Sequence, residues 1–229
     1  MNLRGLNTLS EQLLLDVKME KYTPALRRQL EELEPQVLQQ GLINDNQKKA
    51  FWINIYNAYY QILRIVEKVN KPEIYKEKLF TIAGISLSLD DVEHGILRRY
   101  RYKYSLGFLP SLWVSSFVRQ NAVDKLDYRI HFALNCGAKS CPPIAFYNAD
   151  KIDAQLDMAT QSFLESESEF DDDERVVTTT TLFKWFYADF GGKSGIKKIF
   201  AKQLNRDISN YKIKYRAYSW EDDLANFVE

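Results

Sequence analysis

The chain contains two cysteines, Cys136 and Cys141, and two histidines, His94 and His131. Three of these four lie in one segment, Arg129-Ile-His-Phe-Ala-Leu-Asn-Cys-Gly-Ala-Lys-Ser-Cys-Pro-Pro143. A thiolate nucleophile needs a base or an electropositive neighbour to lower its pKa, and donors for the oxyanion it creates. Here an imidazole, two thiols and a glycine-containing turn that can aim N–H groups inward stand close together. Residues 129–134 alternate, with Ile130, Phe132 and Leu134 on one face and His131 on the other, which predicts a strand. Continued to Cys136, that strand would bury Cys136, whereas Cys141 in the loop can return over His131. Cys141 is therefore the favoured nucleophile and Cys136 the fallback. Three plainer readings compete. Both cysteines could be small buried hydrophobes beside a structural histidine. The four residues could form a loose four-ligand zinc set. A disulfide could join the cysteines, although reducing cytosol disfavours one.

Glu93 and His94 form the second candidate cluster, in the first turns of a helix capped by Ser88 and Asp91. Adjacent positions on an α-helix point about 100° apart, so the two are not expected to pair, and His94 lies over Asp90 and Arg98 instead. Either could serve as acid or base in a cleft, while their plainer role is to complement the helix N-terminus. In a cysteine-dependent hydrolase or acyl transferase of papain-like logic, His131 would move the proton, with His94 the alternative base. Glu93 would orient the imidazole, and Asn54 or loop amides would hold the oxyanion. The alternative is a non-catalytic domain in which Asn54, Glu93, Arg129 and His131 form a buried polar network or a pocket for a polar ligand or peptide, with Asn57 and Arg98 as further binding candidates. No cofactor is called for. The run Asp171-Asp172-Asp173-Glu174 lacks calcium-loop spacing, and Gly191-Gly192-Lys193-Ser194 lacks the spacer of a phosphate loop.

The elements that must position these residues follow from periodicity. Residues 6–40 read as two or three short amphipathic helices, with Thr23-Pro24 opening one. A long helix covers 46–69, with Asn54, Asn57 and Gln61 on one face beside its apolar stripe. Ala83-Gly84 turns a hairpin. Residues 101–124 are irregular. Further helices are predicted over 150–164, 182–189 and 195–204, an acidic solvated loop over 165–174, and strands over 176–180 and 211–215.

At 45% hydrophobic and 27% charged, the composition supports a substantial core without metals or disulfides. Lysine plus arginine equals aspartate plus glutamate, 31 each, which argues against nucleic acid as the main partner apart from a local Arg98-Arg99-Tyr100-Arg101 patch. No apolar run has membrane-spanning length, and Met1-Asn2-Leu3-Arg4 does not open a secretory signal, so a cytoplasmic protein is expected. The fold class expected is α+β: a helix-rich single domain with a small, mainly antiparallel sheet, for which a papain-like arrangement is one option. Residues 1–45 would form a helical segment packed on a main domain of 46–229. The partner expected is a small-molecule or peptide substrate.

Several stretches resemble one known family, the domain of unknown function 547, found in bacteria, plants and animals. They are Phe51-Trp-Ile-Asn-Ile-Tyr-Asn57-Ala, Leu89-Asp-Asp-Val-Glu-His-Gly-Ile-Leu-Arg98, the segment from Asp127 to Pro143, Phe183-Lys-Trp-Phe-Tyr-Ala-Asp-Phe-Gly191 and Tyr218-Ser-Trp220. The resemblance implies no activity. Its pattern includes Asn54, Asn57, Glu93, His94, Arg98, Arg129, His131, Cys136 and Cys141. Relatives in plants are often joined to leucine-zipper-like or glutaredoxin-like segments, and many bacterial ones look exported. Glu221 and Asp222 depart from the tail expected after the tryptophan.

Overall fold

In the computed structural model, which describes residues 5–228, three short helices lead into a long one. These are α1 (Gly5–Lys18), α2 (Pro24–Glu31), α3 (Pro35–Gly41) and α4 (Asp45–Gln61). Residues 1–4, on which the expectation about a secretory signal rested, lie outside the described residues. Pro24 takes the first turn of α2 as expected, but the Thr23 side chain makes no capping bond. Asn44 caps α4 by accepting from the Gln47 N–H at 3.0 Å. Every residue from Lys48 to Gln61 is buried, so α4 is enclosed on all sides rather than laid on a surface. Two lysines tolerate this because their ammonium groups meet oxygen: Lys48 donates to the Ala122 carbonyl at 2.8 Å, and Lys49 to Asp127 at 2.9 Å.

Beyond α4 the chain continues as a π-helical turn, Ile62–Val66, then the short α5 (Glu73–Lys76). Strands β1 (Phe80–Ile82) and β2 (Ile85–Leu87) pair antiparallel. Their turn residues Ala83 and Gly84 have φ of 53° and 71°, the paired left-handed conformation that matches hairpin twist. Ser88 and Asp91 then exchange reciprocal side-chain-to-backbone bonds of 3.0 and 3.1 Å, forming the expected capping box. The helix they open is π-helical, Asp91–Leu97. It packs on α6 (Ser116–Asn121).

The segment expected as a strand is instead a 3₁₀ turn, Tyr128–Phe132. Asp127 accepts from the Arg129 N–H, and Ala133 N–H bonds back to the Ile130 carbonyl. Residues 130–134 are all buried, so the alternation of Ile130, Phe132 and Leu134 does not divide an inside from an outside. Short apolar runs carry that ambiguity.

Next come α7 (Ile152–Glu167), β3 (Glu169–Asp171), β4 (Val176–Thr179), α8 (Leu182–Trp185), α9 (Gly192–Gln203) and β5 (Lys212–Tyr215). The second sheet has the order β3-β4-β5, antiparallel between β3 and β4 and parallel between β4 and β5. The architecture is α+β with two small sheets. The stretch expected as a free acidic loop supplies the end of α7 and all of β3, because Phe170 packs toward Phe200.

Two apolar clusters fill the interior. One surrounds α4 with α1 and the hairpin. The other gathers Phe163, Phe183, Phe190, Ile196 and Phe200 around β4, α8 and α9. The 3₁₀ turn ties them, since Ile130 belongs to the first and Phe132 to the second. Among the described residues no helix is long and apolar enough to cross a membrane.

Candidate functional site

A cavity of about 230 Å³ lies where the two clusters meet. Glu93 and His94 from the π-helix, His131 from the 3₁₀ turn, and Cys136 and Cys141 all line it. Tyr56 of α4, Trp185, Phe186 and Tyr218 complete much of the wall.

Glu93 and His94 both reach the cavity because the helix is wider than an α-helix. Its backbone bonds run five residues apart, as in Arg98 N–H to the Glu93 carbonyl at 2.8 Å. The neighbours, which α-helical geometry would have parted, bring His94 Nδ1 within 3.6 Å of Glu93 Oε1. Tyr56 donates to Glu93 at 3.3 Å. Burial pushes the Glu93 carboxyl up to about 7, with Arg98 opposing and Asp90 adding to the rise. Burial, then the positive charge of Arg98, hold His94 well below the usual imidazole range. His94 is thus neutral, and its Nδ1 accepts from Arg98 at 2.8 Å, which places the proton on Nε2.

Arg98 is fully buried and donates through Nε to Asp189 at 2.6 Å. The same carboxylate oxygen lies 2.9 Å from His131 Nε2. Burial opposes ionisation of Asp189, yet the bonds from His131 and Arg98 hold its pKa below the usual carboxylate value. Burial brings His131 down to about 4 against the pull of Asp189. At neutral pH the ring is therefore uncharged, with Nε2–H donating to Asp189 and Nδ1 left as an acceptor. No described group bonds to that Nδ1. The ring stacks on Phe186 at 3.9 Å between centroids, so its orientation is fixed from two directions.

Cys136 and Cys141 are joined in a disulfide. Gly137 makes the loop possible: its φ is +64°, and a Cβ there would stand 2.5 Å from the Tyr60 ring. The Tyr218 hydroxyl lies 3.0 Å from both sulfurs. A disulfide has no proton to give, so Tyr218 is the donor. The Cys136 N–H donates to Cys141 Sγ at 3.0 Å. The sulfurs' hydrogen-bond partners include neither imidazole. Strand alternation had made Cys141 the freer sulfur; without the strand the order reverses, with Cys141 5% exposed and Cys136 half-buried.

The remaining candidates lie elsewhere. Asn54 grips Tyr147 by both backbone groups, at 2.8 and 3.0 Å. Asn57 does the same across Ala133 and Asn135, at 3.0 and 2.9 Å. Both amides are occupied with their own chain. Arg129 is held by Asp127, Asp153 and Asp157, away from the cavity wall. Among the described residues no group of three or more His, Cys, Asp or Glu could hold a metal, and the zinc set fails because its two cysteines bond each other. Asp189 and Tyr218 lie outside the two segments that carry the cysteines and histidines. The signal for them was their position inside two of the family-like stretches, 183–191 and 218–220.

A family profile described as "Protein of unknown function, DUF547" matches residues 41–164, more than half of the 229-residue chain. No curated protein and no solved structure matches.

Proposed function

We propose that this chain, which belongs to the DUF547 family of unknown function, is a thiol–disulfide oxidoreductase whose redox centre is the Cys136–Cys141 pair. The observation that carries this reading is that the disulfide walls a cavity together with a carboxyl titrating near neutrality. Perturbed acids in clefts mark functional sites more often than chance.

A substrate thiolate attacks Cys136 Sγ, the less buried sulfur. The Cys136–Cys141 bond breaks, and Cys141 leaves with the electron pair. Two donors stabilise that leaving sulfur, the Cys136 N–H and the Tyr218 hydroxyl. Protonated Glu93, in the same cavity, supplies the proton that Cys141 finally takes. A second thiolate then attacks the substrate sulfur of the mixed disulfide and releases Cys136. Two substrate thiols become a disulfide and the protein disulfide becomes two thiols; the reverse direction reduces a disulfide substrate.

In a Cys141→Ser variant, the Cys136 thiol activated with Ellman's reagent and then treated with glutathione retains a mixed disulfide, detected as a mass increase on the intact protein. Glu93→Gln slows exchange near pH 7 by on the order of 10²-fold, the usual loss of a general acid–base. A disulfide in the wild-type protein that resists millimolar dithiothreitol until the protein unfolds would defeat the proposal.

The cysteine-dependent hydrolase or acyl-transferase reading retains one specific support, the Asp189-oriented His131 with its unpartnered Nδ1. It requires a reduced thiol. Thioester or amide hydrolysis by the reduced protein, lost in His131→Ala while disulfide exchange persists, would favour it.

A further inference from the structure

From residue 95 to 123 the chain carries five Lys and Arg, Arg98, Arg99, Arg101, Lys103 and Arg119, and no acidic residue. This is a marked departure in a protein whose charges otherwise balance. Within it, residues 100–111 form a loop pinned at its base, where Ser111 N–H bonds the Tyr100 carbonyl at 2.6 Å and Tyr102 N–H the Leu109 carbonyl at 2.9 Å. Its inner side rests on the protein through Ala188 N–H to the Leu106 carbonyl at 2.9 Å, and the Phe108 ring touches Tyr187 while most of Phe108 stays exposed. Its outer side is apolar and open to solvent. Trp113 is 94% exposed and Leu112 83%, with Tyr104, Phe108 and Leu109 each more than half exposed. Isolated exposed apolar side chains are ordinary, but a contiguous set marks a contact surface.

Two of these cations lie against the loop. Arg101 donates to the Phe108 carbonyl, and Arg119 lies over the Tyr100 ring. Arg101, Tyr102, Lys103 and Trp113 border one shallow hollow, with Asp90 and Asp91 on its edge. Lys103 is committed to Asp90. Among the described residues no carboxylate pairs with Arg99, Arg101 or Arg119.

We propose that the 100–113 loop seats this protein on an anionic lipid bilayer surface. Leu112, Trp113, Phe108 and Leu109 would enter the headgroup region, and Arg99, Arg101 and Arg119 would face the lipid phosphates. The surface favours lipid over a protein partner because its exposed apolar side chains come from the loop and from the two residues just past its base, and because Arg99, Arg101 and Arg119 beside them have no carboxylate partner among the described residues. Tryptophan suits this boundary, with an apolar body and one polar edge. Each cation near an anionic surface contributes roughly a five-fold gain in binding. The loop would lie on the bilayer without crossing it.

The test is sedimentation of the full chain with vesicles of phosphatidylcholine alone or of phosphatidylcholine with phosphatidylglycerol. The protein is expected to pellet with the anionic vesicles and not the neutral ones, and to be released by salt. Arg101→Gln lowers binding about five-fold, and the Leu112→Ser/Trp113→Ser pair lowers it more than ten-fold while circular dichroism stays unchanged. Emission of wild-type protein shifts to the blue on anionic vesicles, and that shift is missing in Trp113→Phe. Absence of binding to anionic vesicles, or binding undiminished in the double variant, overturns the proposal. So does a concentration-dependent dimer that the double variant abolishes while no vesicle binding occurs, which would assign the loop to a second copy of the chain.

Discussion

Glu93 is near the midpoint of its titration at pH 7, because burial raises its carboxyl to about 7 from the usual 4.5. A raised acid contributes stability that is fully present below pH 4.5 and is lost as pH rises through 7. His131 works in the opposite sense: burial lowers it from 6.5 to about 4, so its contribution is present above pH 6.5 and is lost as pH falls through 4. The two trends overlap in wild-type protein, and Glu93→Gln separates them. Its unfolding free energy relative to wild type should grow from pH 4.5 to pH 8 by up to about 3 kcal/mol, measured by urea denaturation at each pH. A difference independent of pH would mean that Glu93 is ionised at neutral pH and cannot donate a proton to Cys141.

Helix α4 shows how an element can be read correctly while the partners of its polar residues stay hidden. Asn54, Asn57 and Gln61 fall on one face, as their spacing implies, and that face holds other parts of the chain in place. Gln61 accepts from the Ala225 N–H, and the two asparagines clamp the segments around Ala133 and Tyr147. Asn54→Ala leaves the Tyr147 N–H and carbonyl buried without these partners, which costs about 2–4 kcal/mol. Chemical denaturation should detect this. Exchange chemistry at Cys136 should survive, because Asn54 touches neither sulfur. The π-helix at Asp91–Leu97 marks the limit of element-level inference. Its capping box and apolar positions are legible, but the wider winding that turns Glu93 and His94 into one cavity depends on the packing against α6. Gly95 permits that packing, since a Cβ there would stand 2.6 Å from Val118.

At the scale of the whole molecule, the cavity exists because two apolar clusters meet without fusing. The 3₁₀ turn joins them through Ile130 and Phe132, and Arg98–Asp189 and the Tyr218 contact with the disulfide are polar links across that seam. The disulfide itself closes a short loop, with a sequence separation of 5, so chain entropy gives it only about 2 kcal/mol. Reduction should therefore lower the unfolding free energy by about that amount and leave the helical circular dichroism intact. A redox centre requires both states to stay folded, and global unfolding on reduction would make the bond a structural staple.

The sequence by itself determined the helix-rich α+β class, the long helix α4, the hairpin with its Ala83-Gly84 turn, the capping box and the two short segments that line much of the cavity. Each of these follows from local signals: apolar period, turn chemistry and reciprocal capping. Only the tertiary structure decided the rest. Residues 128–132 coil rather than extend, with Ile130, His131 and Phe132 all buried, and Cys141 is more buried than Cys136. Asp189 becomes the partner of both Arg98 and His131 although it lies 91 and 58 residues away in the chain. Pairings over such separations leave no periodicity in a single sequence, since they depend on how two cores are packed together.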